Sequence, residues 1–135
     1  MNRLQAHTFP IRVYYEDTDF SGVVYHASYL RFLERGRTEL LRDIGVHQAA
    51  LHGDEAALAF AVRRMTIDWL KPAKMDDVMT VETRVAEVKG ASLVLDQRIV
   101  LGDVVLLTAD VLVVLVQNGK PVRLTADLRE KLAAS

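Results

Sequence analysis

The residues best suited to chemistry stand near the start of the chain, where acidic side chains interrupt an apolar stretch. Asp19 follows Asp17 by two residues and precedes His26 by seven, with Gly22 between them. A carboxylate in such a turn can act as a general base or as a nucleophile. A histidine near a helix start offers a backbone N–H that can bind an oxyanion, and an imidazole that can orient a substrate.

The same residue types also have a purely structural interpretation. Asp17, Asp19 and Ser21 are common turn and cap formers, and His26 could equally be a partly buried histidine bonded to a neighbour. Tyr15 could direct its hydroxyl toward the turn, although tyrosines in strands more often pack than catalyse. The residue types alone leave both interpretations open.

Two glutamates form a reserve set of candidates on the segment that follows. Glu34 and Glu39 lie among arginines and would be solvated partners of them, unless one points into a pocket and serves as a base. The motifs GxSxG, Walker A, GxGxxG and HExxH are absent, so we expect no metal and no bound nucleotide cofactor. The remaining histidines are predicted to lie in the N-terminal tail or in surface segments: His7, His47 and His52.

The elements that must position these residues follow from hydrophobic periodicity. Phe9 to Glu16 is typical of a first strand, and Thr18 to Gly22 of a turn. From about Val24 the apolar residues recur at helical spacing, and Gly45 marks the end of this helix. Gly36 inside the helix costs about 1 kcal/mol relative to alanine, so we expect close packing on a sheet there.

The second half of the chain has the two-residue period of strands. Val104 to Val116 is nearly continuous apolar sequence and predicts a central strand buried on both faces. Asn118-Gly119 predicts a hairpin, and Thr125 is expected to cap a last helix. A short helix around His47 to His52 is a further prediction. Alternating residues predict three more strands: Met65 to Trp69, Met79 to Val85 and Leu93 to Ile99.

This order predicts an α+β fold in which a strongly curved antiparallel sheet wraps one long central helix. The helix has an apolar stripe that must be buried on the sheet. No linker, repeat or low-complexity segment divides the 135 residues, so residues 1–135 form one predicted domain. Exposed strand edges lead us to expect self-association.

Composition excludes several classes of function. A net charge of −1 argues against a general nucleic-acid surface, and the lack of cysteine excludes disulfides and thiolate metal sites. The N-terminus lacks the apolar core of a signal peptide. The longest apolar run is too short and too polar to span a bilayer, and we therefore expect a cytoplasmic protein.

The segment RVYYEDTDFSGVVYHASYLRFLERGRTELLR (residues 12–42) resembles the active-site segment of hotdog-fold acyl-CoA thioesterases. It is most similar to the YbgC-type, Tol–Pal-associated branch of the 4-hydroxybenzoyl-CoA thioesterase family. The resemblance continues in FAVRRMTIDWLKPAKMDD and EVKGASLVLDQRI, and spans about Ile11 to Leu115. It implies a curved sheet around one helix, homodimers that commonly pair into homotetramers, and active sites between subunits.

The resemblance assigns roles to individual residues. It implies that Asp19 is the catalytic carboxylate and that the backbone N–H of His26 is the oxyanion donor. The side chains of Tyr15 and His26 are implied participants in catalysis. Val24 and Tyr25, which precede His26 in the matching motif, are expected to contact the substrate.

The resemblance also implies where coenzyme A phosphates bind. Lys89 matches a basic position of relatives, and Arg123 aligns approximately with a phosphate-binding arginine. Gly90 and Ala91 replace residues that are charged in some relatives, so this part of the pattern departs from the family. Coenzyme A is expected as part of the substrate, with no separate cofactor.

The implied function is hydrolysis of an acyl-CoA or acyl-carrier-protein thioester. Asp19 would activate water or attack the carbonyl itself, and the sequence does not separate these routes. One alternative is a hotdog-fold dehydratase or hydratase of acyl thioesters, which also uses a histidine and an acidic residue. Another is a non-catalytic module that binds acyl-CoA or acyl-carrier protein.

Overall fold

One antiparallel sheet and two α-helices make up the fold of the described part of the chain. The computed structural model describes residues 6–47 and 58–134. The elements run in the order β1, α1, β2, β3, β4, β5, β6, α2. Their bounds are β1 His7–Arg12, α1 His26–Asp43, β2 Leu58–Trp69, β3 Val78–Val88, β4 Ser92–Leu101, β5 Val104–Gln117, β6 Lys120–Pro121 and α2 Ala126–Ala133.

The sheet has the strand order β1-β3-β4-β5-β2, with β6 paired to the end of β5. All pairings are antiparallel, so the predicted α+β fold is confirmed. The predicted central strand is β5, which lies between β4 and β2 and has adjacent buried residues at Leu106 and Leu107. Within the described residues β2 is an edge strand.

Helix α1 packs its apolar stripe on the sheet. Phe32 and Leu33 are fully buried there. A Cβ added at Gly36 would lie 2.5 Å from Cγ1 of Val81 on β3. The helix therefore sits too close to β3 for any side chain at this position, which confirms the prediction made for Gly36.

A buried polar network joins the same part of α1 to the sheet. The Arg37 guanidinium donates to Oε1 of Gln97 at 3.1 Å. The amide nitrogen of Gln97 donates to the backbone oxygen of Leu33 and to Oγ1 of Thr83. Burial lowers the pKa of Arg37. Because buried polar groups need partners, this network fixes where α1 lies on β3 and β4.

The predicted bounds of three elements are wrong, and one of them is β2, which begins at Leu58 and not at Met65. The first strand ends at Arg12 and not at Glu16, because the carboxylate of Asp17 accepts a hydrogen bond from the Tyr14 backbone N–H and bends the chain into a 3-10 turn. Helix α1 begins at His26, two residues after the predicted start at Val24. Val24 instead pairs with Thr18 in an isolated β-bridge.

The remaining local predictions have mixed outcomes. Asn118 and Gly119 have φ of 51° and 79° and form the predicted hairpin turn. Thr125 caps α2 by accepting from the Leu128 backbone N–H at 3.1 Å. His7 lies in β1 and not in a tail. The predicted helix at His47–His52 falls mostly outside the described residues, and His47 itself is not helical.

Candidate active site

A 3-10 turn at Tyr15–Asp17 brings the chain from β1 toward the candidate site. Asp17 is buried, and its second oxygen lies 3.6 Å from Arg31 of α1. Its carboxylate thus holds the turn and ties it to the helix. The structural interpretation of Asp17 fits its contacts.

Asp19 lies in the next turn, and its carboxylate is exposed. One oxygen accepts hydrogen bonds from the Ser21 hydroxyl at 2.6 Å and from the Ser21 backbone N–H at 2.8 Å. The Asp19 backbone N–H donates a hydrogen bond to the Val23 carbonyl, and the Gly22 backbone N–H donates one to the Asp19 carbonyl. The Ser21 hydroxyl, followed by the Ser21 N–H, lowers the pKa of Asp19. The side chain is therefore ionised at neutral pH and open to solvent.

The turn leads directly into the N-terminus of α1. Tyr25 is the N-cap residue, with extended backbone, and His26 is the first helical residue. The first N–H groups of a helix have no acceptor within it and carry the positive end of the helix dipole. The backbone N–H of His26 is thus of the type that binds an oxyanion.

A cavity of about 190 Å³ lies beside this helix start. The His26 ring packs on the Trp69 ring with centroids 4.3 Å apart, and the centroid of the Tyr29 ring lies 5.4 Å from that of Trp69. The Tyr29 hydroxyl accepts from the Ala73 backbone N–H at 2.8 Å, and burial raises the pKa of Tyr29. The lining residues are Val24, His26, Tyr29, Trp69, Leu70, Lys71 and Pro72.

The structure brings some of the predicted site residues together and leaves others apart. Val24 and His26 line the cavity, whereas Asp19 and Tyr15 are not among its lining residues. Tyr15 is 80% exposed and Tyr25 is 42% exposed. The Tyr15 contacts that the structure gives are through its backbone oxygen, which accepts from Thr18.

Three exposed aromatic residues lie within five positions of Asp19 in the sequence. Phe20, the next residue, is fully exposed, and Tyr14 and Tyr15 are more than half exposed. A cluster of exposed large apolar side chains is unusual for a surface that faces only water. This surface is therefore suited to contact with a ligand or another chain.

The reserve glutamates occupy different environments. Glu39 pairs with Arg42 at 3.2 Å on the same helix. Glu34 lines a second cavity, of about 240 Å³, between α1 and the strands β2, β4 and β5. Arg37 shares this cavity, so Glu34 has a cation nearby. Glu34 is therefore the one reserve candidate that both faces a cavity and has no close ion pair given in the described residues.

The predicted phosphate contacts lie at a turn between β3 and β4. Lys89 is exposed and lies 3.8 Å from the Glu87 carboxylate. Arg123 is exposed, and its guanidinium lies 3.4 Å from where a Cβ of Gly90 would be. The structure thus places Lys89 and Arg123 at one turn. Arg129 of α2 also reaches this turn and donates to the backbone oxygens of Lys89 and Gly90.

Sequence reasoning missed Trp69 and Arg129 as residues of these two regions. The sequence pattern predicts Trp69 only as a strand residue. No neighbouring residues in the sequence indicate that it packs on a histidine 43 positions earlier. Arg129 falls within the predicted last helix, and no motif singles it out. Its contact with Lys89 spans 40 positions and depends on how α2 docks.

Residues 6–47 and 58–134 contain no group of three or more His, Cys, Asp or Glu side chains placed to hold a metal ion. In the same ranges, none of the helices has the length and apolar character needed to cross a membrane.

Comparison with known proteins identifies the protein family to which the chain belongs. Residues 13–134 match the family model of the thioesterase-like superfamily. The chain therefore belongs to this superfamily, and its sheet wrapped on one helix is the hotdog fold that the resemblance implied.

Individual relatives narrow the assignment within that class. The chain is 50% identical to the acyl-CoA thioesterase YbgC of Haemophilus influenzae over 84% of this chain and 82% of that protein. It is 50% identical to the acyl-CoA thioester hydrolase YbgC of Escherichia coli O6:H1, over 83% of each chain. A probable thioesterase from Bartonella henselae has 46% identity and a TM-score of 0.85, over 89% of this chain and 99% of that one. The resemblance to the YbgC-type branch is confirmed.

Proposed function

We propose that this protein hydrolyses acyl-CoA thioesters to a free acid and coenzyme A. Asp19 acts as general base or nucleophile, and the backbone N–H of His26 binds the oxyanion. The observation that carries this proposal is an exposed carboxylate with a lowered pKa in the turn that leads into the first residue of α1. The YbgC relatives at 50% identity support the substrate class.

The thioester carbonyl docks with its oxygen toward the start of α1. In one route the Asp19 carboxylate takes a proton from water, and the resulting hydroxide attacks the carbonyl carbon. In the other the carboxylate attacks directly and forms a mixed anhydride, which water then cleaves. In both routes the C–S bond breaks and the thiolate leaves with the electron pair. The negative charge of the tetrahedral intermediate is stabilised by the His26 N–H and the helix dipole.

The environment of Asp19 suits either route. Ser21 donates two hydrogen bonds to one oxygen of the Asp19 carboxylate. Within the described residues, the structure gives no hydrogen bond to the second oxygen. A thiolate is a good leaving group and needs no strong general acid, so the site can function without a serine–histidine pair. The side chains of Tyr15 and His26 orient the substrate in this proposal.

The phosphates of coenzyme A bind at the turn between β3 and β4, which carries Lys89 and lies against Arg123. Both side chains are exposed cations, and Glu87 beside Lys89 is the carboxylate that a phosphate must displace. Val24 and Tyr25 contact the acyl-thioester arm at the helix start. Acyl-carrier-protein thioesters, which end in the same phosphopantetheine arm, are a second donor class in this proposal.

The working unit is a homodimer, or a homotetramer built from two dimers. Support comes from the open edge of β2 and from exposed apolar residues on and just after it: Val62, Trp69 and Leu70. A second copy added along this edge would continue the sheet and cover the cavity beside His26. Light scattering at several protein concentrations tests this. A monomer at every concentration would contradict it.

Thiol release from a panel of acyl-CoA thioesters, from short to long and including an aromatic one, tests the reaction. The protein has no cysteine and gives no thiol background. We expect release of coenzyme A by the wild-type protein. Double-bond formation without thiol release would favour a dehydratase. Binding with no turnover of any coenzyme A or acyl-carrier-protein thioester would favour a binding module.

A further inference from the structure

We propose that Arg129 is a positioning residue for the nucleotide end of the substrate. It fixes the turn between β3 and β4 in the shape that presents Lys89 to the phosphates. This inference rests on the proposed function, because it assumes that Lys89 and Arg123 bind those phosphates.

The contacts of the turn carry the inference. The Nη2 atom of Arg129 donates to the backbone oxygen of Lys89 at 2.8 Å and to that of Gly90 at 3.1 Å. The Leu124 backbone N–H also donates to the Gly90 oxygen, at 2.9 Å. The oxygen of Ala91 accepts from the Leu115 N–H. Three successive carbonyls of the turn are thus bonded to later parts of the chain.

Electrostatics gives these contacts a role in anion binding. A free backbone carbonyl presents partial negative charge, which would repel a phosphate. A guanidinium bonded to two adjacent carbonyls offsets that charge and adds a positive charge next to the Lys89 backbone. The Lys89 and Arg123 side chains remain exposed, so they are left to meet the ligand.

Gly90 shows that Arg123 lies against the same turn. A Cβ there would be 3.4 Å from the Arg123 guanidinium, which is an ordinary van der Waals distance. Arg123 and Arg129 therefore bring two cations to the turn that carries Lys89.

Helix α2 does not depend on Arg129 for its place in the fold. Thr125 caps the helix, and Leu128 and Leu132 are buried beneath it. Lys131 offers a matched control, because it is also a cation on α2 that donates to a backbone oxygen, here that of Gly45 at 3.3 Å. Its contact lies at the end of α1 and not at the Lys89 turn.

The test compares two thioesters of one acyl group, the group that the thiol-release panel turns over fastest. One is the acyl-CoA and the other is the N-acetylcysteamine thioester, which lacks the phosphates. We expect Arg129→Gln to raise KM for the acyl-CoA about three- to fivefold, with kcat unchanged and with no change for the truncated thioester. Arg129→Lys is expected to restore part of the loss, and Lys131→Gln to change neither KM.

Other results would overturn the inference in distinguishable ways. If Lys89→Gln raises KM for the acyl-CoA alone but Arg129→Gln does not, the phosphate site stands and the role of Arg129 is wrong. If Arg129→Gln raises both KM values equally, its role is merely structural. If Lys89→Gln and Arg123→Gln leave both KM values unchanged, the phosphate site itself is wrong and the inference falls with it.

Discussion

The N-terminal end of α1 and its middle differ in how they hold charged side chains. At the N-terminal end, Asp19 is exposed and bonded only within its own turn. In the middle, Arg37 is buried and bonded across to Gln97 of β4. An ionised group that is open to solvent can meet a substrate, whereas a buried network mainly positions the helix. Each region also has a cavity, beside His26 at the N-terminal end and beside Glu34 in the middle. The difference in exposure between Asp19 and Arg37 is the reason for placing the chemistry at the N-terminal end.

The largest effect on activity is expected at Asp19, and it would distinguish the N-terminal end of α1 from its middle. Asp19→Asn keeps the turn, because the amide oxygen can still accept from Ser21, but it removes the negative charge that a base or nucleophile needs. We expect kcat for acyl-CoA hydrolysis to fall about 100-fold or more, with an unchanged melting temperature. A variant that unfolds would make the kinetics uninterpretable, and thermal melts therefore accompany the assay.

His26→Ala is expected to have a smaller effect, about tenfold in kcat/KM. The variant removes the imidazole that packs on Trp69 but keeps the backbone N–H that we propose as the oxyanion donor. Losing such a donor would cost about 2.7–4 kcal/mol. Steady-state kinetics with the same thioester measures this. A loss equal to that of Asp19→Asn would show that the imidazole is essential.

Gly36→Ala tests whether the middle of α1 is a packing region. The new Cβ would meet Val81 at 2.5 Å, and overpacking of this kind costs about 1–3 kcal/mol. Alanine regains about 1 kcal/mol of helix propensity. We expect a net loss of about 1 kcal/mol in the free energy of unfolding, measured by urea denaturation. A variant more stable than wild type would mean that α1 lies farther from β3.

Ser21→Ala tests the environment of Asp19 at the N-terminal end of α1. Of these variants it is expected to have the smallest effect, a shift in the pH dependence of kcat/KM. The Ser21 hydroxyl is the main cause of the lowered pKa of Asp19. In the proposed mechanism the ionised carboxylate is the active form, so activity should be lost as pH falls through that pKa. Removing the hydroxyl raises the pKa, so the acid limb of the kcat/KM profile should move to higher pH. An unmoved limb would show that another group controls it.

Local features of the fold were predictable from the sequence, and contacts between distant segments were not. The turn at Asn118-Gly119 and the cap at Thr125 depend on a few adjacent residues. The strand end at Arg12 was missed, because it depends on one side chain bonding back to the backbone. Apolar periodicity does not record such a bond.

The candidate site divides along the same line. Asp19 and His26 are site candidates from residue type, spacing and resemblance, all of which can be read from the sequence. The packing of Trp69 on His26 and the reach of Arg129 to Lys89 join segments 43 and 40 positions apart. Those contacts follow from the strand order and from the docking of α2, neither of which a linear pattern encodes.

The most direct test of the central claim compares Asp19→Asn with Glu34→Gln in one thiol-release assay, using the acyl-CoA that wild type turns over fastest. Both variants replace a carboxylate with an amide, and each belongs to one of the two regions. The account predicts that Asp19→Asn loses nearly all turnover and that Glu34→Gln stays within a fewfold of wild type. Full activity in Asp19→Asn together with a large loss in Glu34→Gln would contradict it and move the chemistry to the cavity beside Arg37.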